Sequence, residues 1–180
     1  MNLLITALVV AGIVPMAHCS ATLQAPLLHV RNEFEFTVKA PFGATFPLFG
    51  ADGERAWAGA EWNPNFVYPR PAKDIQGAVF QIAHRHMNAV WVNTAMDPAS
   101  GHIQYVYFLG EKLVTLIDIH ITRRDAATTL VKVAYERTAL GPEANEHVRQ
   151  MGEHDATQGK EWEDAINKCL SNKPEAPTAK

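Results

Sequence analysis

Hydrophobic and polar positions alternate over long stretches of this chain, and that alternation predicts strands. Leu113, Thr115, Ile117, Ile119 and Ile121 stand against Val114, Leu116, Asp118, His120 and Thr122. This is the period-two signature of an antiparallel sheet with one packed face and one wetter face. The same period runs through Ile103, Tyr105, Tyr107 and Leu109, and through Thr129, Val131, Val133 and Tyr135, with Lys132 and Glu136 facing the other way. Ala78 to His84 and Ala89 to Thr94 are rich in β-compatible residues, which makes five consecutive hairpin-spaced strands. Asp97-Pro98-Ala99-Ser100-Gly101, Gly110-Glu111 and Arg123-Arg124-Asp125-Ala126 are the turns between them. An earlier strand is expected over 28–38, where Val30, Phe34, Phe36 and Val38 are spaced by two or four. One or two short helices are expected between Phe42 and Trp57, followed by an extended loop over 58–76 rich in X-Pro turns.

After Pro142 the period changes. Ala144, Val148 and Met151, then Trp162, Ala165, Ile166, Cys169 and Leu170, recur at helical spacing. Glu143 and Glu146 favour the positive end of a helix that Pro142 opens. A long C-terminal helix is therefore expected, with Gly152 and Gly159 placed to bend it and a frayed tail over 171–180.

Composition adds bounds. The chain has 180 residues, 47% hydrophobic and 19% charged, with net charge -3 from 16 basic and 19 acidic side chains. One globular domain fits that length, and the balanced charge gives no reason to expect nucleic acid as a partner. No Asp, Glu, Lys or Arg precedes Arg31, and Leu3 to Ala17 is almost wholly apolar. The run is shorter than the ~20 residues that span a bilayer, but it suits the core of a signal peptide. Residues 1–21 are expected to be cleaved after Ala21, with 22–27 a lead-in, so the mature protein is exported, periplasmic or secreted, without an integral membrane span. An uncleaved anchor and a buried segment of a cytosolic protein are the alternatives. With Cys19 lost alongside the leader, Cys169 has no disulfide partner and reads as a small apolar residue on a helix face.

A curved antiparallel sheet must cover its apolar face, and the terminal helix is the long element left to do it. Several stretches then resemble the SRPBCC, or START-like, superfamily, of the polyketide cyclase/dehydrase type. They are Trp91-Val92-Asn93-Thr94-Ala95-Met96-Asp97-Pro98, Ile103-Gln104-Tyr105-Val106-Tyr107, Thr128 to Tyr135 with Thr138-Ala139-Leu140, and Trp162-Glu163-Asp164-Ala165-Ile166. Gly53-Glu54-Arg55-Ala56-Trp57, Glu61-Trp62 and Phe66-Val67-Tyr68-Pro69 look like the loop region of a bacterial branch. The resemblance covers 28–172 and implies an α+β helix-grip fold, a curved antiparallel sheet gripping a long C-terminal helix. It is unspecific for activity, since members include lipid carriers, hormone receptors, cyclases and chaperone cofactors.

Helix and curved sheet should leave a cavity. Its ligand-binding lining is expected from Trp91, Tyr105, Tyr107, Thr115 and Tyr135, with His84 and Glu61. The alternative for each is plain core. His84 and His86 form an H-x-H that would need a third ligand such as His102 or His120; nothing fixes one nearby, so no metal site is expected. Glu61, Asp97 and Asp118 are the carboxylates open to acid/base work, although Asp97 suits a turn and Asp118 a solvated face. No nucleophile elbow, P-loop, dinucleotide fingerprint or H-E-x-x-H occurs, and no cofactor is expected. The reading is a non-catalytic carrier or sensor of a small hydrophobic molecule. A cyclase, dehydratase or aldol-type enzyme using the same cavity, or a protein-interaction module, are the alternatives.

Overall fold

Strong alternation becomes seven antiparallel strands in one sheet among the described residues. The computed structural model describes residues 26–84 and 87–172. The expected signal peptide, Cys19, His86 and the tail beyond 172 lie outside the described residues. β1 (His29–Val38) is followed by α1 (Phe42–Thr45) and two single turns of 3-10 helix, Phe46–Phe49 and Gly53–Ala56. β2 (Asn65–Tyr68), β3 (Val79–His84), β4 (Met87–Asp97), β5 (His102–Leu109), β6 (Leu113–Arg123) and β7 (Thr129–Ala139) then form a meander. β1 closes the sheet against β7, with Phe34 opposite Val133 and Phe36 opposite Val131.

The faces fall as the alternation requires. Ile103, Tyr105, Tyr107 and Leu109 are buried on β5, as are Leu113, Thr115, Ile117, Ile119 and Ile121 on β6. The Asp97 carboxylate accepts from Ala99 N at 2.9 Å and Ser100 Oγ at 2.6 Å, the local bonding expected of that turn. Within the expected loop over 58–76 the chain forms β2, a short edge strand whose Phe66 is buried against Phe80.

The terminal helix is two helices, α2 (Asn145–Asp155) and α3 (Gln158–Ser171), and it opens with a 3-10 turn at Pro142–Ala144. The break falls at Ala156 and Thr157, between the two glycines expected to bend a continuous helix. The glycines act by close approach instead. A Cβ on Gly152 would stand 2.9 Å from Val30 Cγ2, so this glycine lets α2 lie directly on β1. Cys169 is half-buried on α3. No helix among the described residues is long and apolar enough to cross a membrane.

Candidate functional site

All four tryptophans of the chain, Trp57, Trp62, Trp91 and Trp162, wall one cavity of ≈ 260 Å³ between the sheet and α3. Tyr105, Ile117, Ile119 and Tyr135 form its floor, while Glu54 and Glu161 supply its carboxyls. A second space of ≈ 220 Å³ shares the walls Ala58, Trp62 and Trp91 and extends toward Glu61, Tyr107, Leu109 and Met151. The roof is held by its own indoles. Trp57 Nε1 donates to Leu48 O at 2.7 Å, and Trp62 Nε1 donates to Ala51 O at 2.8 Å. On the sheet side Trp91 stacks on its cross-strand partner Tyr107, with ring centroids 4.2 Å apart.

The tight turn at Gly53–Ala56 delivers Glu54. A Cβ on Gly53 would stand 1.9 Å from Pro47 O, so only glycine permits this approach. Glu54 is then 6% exposed, and its carboxyl has no hydrogen-bond or ion-pair partner among the described residues. Burial pushes this carboxyl well above the usual carboxylate range, and the negative charge of Asp74 pushes the same way. Asp74 itself is raised by burial, although it accepts from Asp52 N at 3.2 Å. The indole Nε1 of Trp91 and Oδ1 of Asn93 are also buried without partners among the described residues.

The expected site residues divide by what their polar atoms do. Trp91, Tyr105 and Tyr135 line the first cavity, and Glu61 and Tyr107 line the second. Tyr105 donates its hydroxyl to Phe49 O at 2.9 Å, so that group ties the sheet to the loop. The Tyr107 hydroxyl accepts from Arg137 Nη1 at 2.5 Å and Thr115 Oγ1 accepts from the same nitrogen at 3.0 Å. Thr115 therefore serves a buried polar network and lines neither cavity. Of the three phenols, Tyr135 alone has a hydroxyl without a partner among the described residues. Burial pushes it well above the ordinary tyrosine range, against the pull of the Arg137 guanidinium. His84 ends β3, and its side chain lies outside the described residues.

Sequence reasoning missed Glu54 and the Arg137–Asp155 pair. Arg137 continues the inward series Thr129 to Tyr135 by two, which is a legible signal for a buried cation. It meets Asp155 of α2 through two bonds of 2.6 Å. Glu54 carries no such signal, because a single turn of 3-10 helix has no period long enough to orient one residue.

No family model matches the sequence, and no curated protein matches it either. Solved structures do match in shape. Norcoclaurine synthase from Thalictrum flavum superimposes with a TM-score of 0.60 at 14% identity, over 93% of this chain and 99% of that one. Ara h 8.0201 gives 0.57 at 18% identity, over 80% and 99% of the two chains. An uncharacterised protein from Rhizobium leguminosarum gives 0.57 at 16% identity, over 82% and 98%. Shape and element order thus agree: the chain has the helix-grip fold.

Proposed function

We propose that this domain binds a small, mostly apolar, ring-containing molecule between the sheet and α3. The observation that carries the reading is that four tryptophans wall a space between the sheet and α3 instead of filling it. A volume of ≈ 260 Å³ lies just under the roughly 300–1,000 Å³ common for small-molecule sites, so the guest is one or two rings in size. Affinity comes from apolar area removed from water, at about 25 cal/mol per Å² before binding costs are subtracted. The unpartnered Glu54 carboxyl and Tyr135 hydroxyl offer the polar contacts that orient the guest. Norcoclaurine synthase, solved in complex with dopamine and hydroxybenzaldehyde, supports ring-sized guests on this fold. Native mass spectrometry of the purified mature domain, with thermal shifts against a hydrophobic panel, tests the reading. A co-purifying or panel compound bound one-to-one is expected, and its complete absence overturns it.

A second reading, an enzyme of cyclase, dehydratase or aldol type, is favoured by one observation. A buried carboxyl with raised proton affinity is suited to general acid–base catalysis, in which its carboxylate form takes a proton from the guest and the resulting acid returns one. Exchange of the guest's α-protons in deuterated water, lost in Glu54→Gln while binding persists, would identify the enzyme. Binding without exchange leaves the carrier. An interaction module has less support, since the exposed large apolar side chains among the described residues are spread over the Val90–Phe108 cross-strand pair, Val67 and Tyr68 of β2, and Leu27 and Leu140. Export remains part of the proposal; N-terminal sequencing of the mature protein checks it, with Thr22 as the expected first residue.

A further inference from the structure

We propose that His102, Asp118 and His120 bind a single divalent transition-metal ion of the zinc, nickel and copper class on the outer face of the sheet. The three side chains come from β5 and β6, where His102 stands opposite His120 and Gln104 opposite Asp118. Cross-strand register puts the two imidazoles side by side, with ring centroids 4.7 Å apart and planes 6° from parallel. Both Nε2 atoms reach the same carboxylate, His102 to Oδ1 at 2.6 Å and His120 to Oδ2 at 3.0 Å. All three donor atoms lie within 4.8 Å of one another.

Tetrahedral ligation at about 2.0–2.2 Å places donor atoms roughly 3.3 Å apart, so the present N···O separations need to open by under about 1 Å. The ion replaces the shared protons, which is why such sites release protons on loading. Two imidazoles with one carboxylate suit borderline divalent ions, whereas calcium and magnesium require mostly oxygen donors. Three protein donors leave a fourth position for water. The carboxylate is also steered from behind: Gln104 Nε2 donates to Asp118 Oδ1 at 3.0 Å, and Thr94 Oγ1 donates to Gln104 Oε1 at 2.9 Å. Such supporting bonds fix ligand orientation in metal sites. Lys132, the register partner of His120, is paired with Glu33 at 3.1 Å, which offsets its repulsion of a cation. His102 and Asp118 are about a third exposed and His120 half-exposed, so an ion reaches them from solvent. Asp118 lies on the outer, partly exposed face as expected, and there it is hydrogen-bonded to His102, Gln104 and His120. The inward neighbours Ile103, Ile117 and Ile119 separate this site from the cavity.

The experiment is titration calorimetry of Zn²⁺ into the full mature chain without a histidine tag. One equivalent is expected with a dissociation constant of about 10 μM or tighter. His102→Ala and His120→Ala should each weaken that equivalent by about tenfold or more, and the double variant should abolish it, while His84→Ala/His86→Ala retains it. Paramagnetic Ni²⁺ on the unsubstituted protein gives a readout independent of variant folding, broadening the NMR ring signals of His102 and His120 first. Affinity weaker than about 1 mM, an equivalent that survives the double variant, or broadening centred on other histidines would overturn the proposal.

Discussion

Glu54 is the residue whose chemistry contrasts most with its surroundings, an acid set among tryptophans. Its ordinary value is 4.5, and the fold raises it by burial. Above pH 4.5 the unfolded chain has released this proton while the folded chain retains it. Stability therefore falls as pH rises from that point through the folded value. Glu54→Gln removes the titration, so its denaturation midpoint should exceed that of the parent at pH 8 and converge with it near pH 4. Gain of stability with loss of guest binding or proton exchange is the expected signature of a residue kept for function. Tyr135→Phe deletes the unpartnered hydroxyl without opening a cavity, so guest affinity should fall by about tenfold while the melting temperature barely moves. Tyr107→Ala is a poorer probe, because it also strips an acceptor from Arg137. The aromatic set Trp91, Tyr105, Tyr107 and Tyr135 was legible from alternation alone. The use of each hydroxyl was not, since partners such as Phe49 O come from segments far away in sequence.

At the scale of elements, α2 is fastened to the sheet by the Arg137–Asp155 pair, with the side chains 5% and 1% exposed. Asp155→Ala leaves a buried guanidinium uncompensated and should cost about 3–5 kcal/mol by chemical denaturation. Replacing both partners, Arg137→Met with Asp155→Leu, should recover much of that loss. The turn at Gly53–Ala56 gives a second test. Gly53→Ala forces the turn away from Pro47 O, so a cost of about 1–3 kcal/mol is expected together with weakened guest binding, both read in one thermal-shift titration. Strand periods fixed β3 to β7 well because each strand buries one face along its length. The single helix expected after Pro142 divides in two at Ala156 and Thr157. α2 packs on β1 and on β7, where Asp155 meets Arg137, whereas α3 packs on β1, where Trp162 meets Phe34 and Phe36 at centroid distances of 5.5 and 6.4 Å.

At the scale of the molecule, sheet and helices together leave space that neither leaves alone. A guest at one hundred times its dissociation constant stabilises the folded state by about 2.7 kcal/mol. For a chain of this length that is a rise of roughly 5–10 °C in melting temperature, measurable by calorimetry. The amino-acid order by itself determined the meander, its inward face and the need for a helical cover, because period and turn chemistry act over a few residues. Tertiary structure alone decided that Glu54 enters the cavity, that Arg137 is neutralised by Asp155, and that two histidines and an aspartate meet on the outer face. Each of these depends on where separate elements stop against one another, and a local pattern carries no information about that distance.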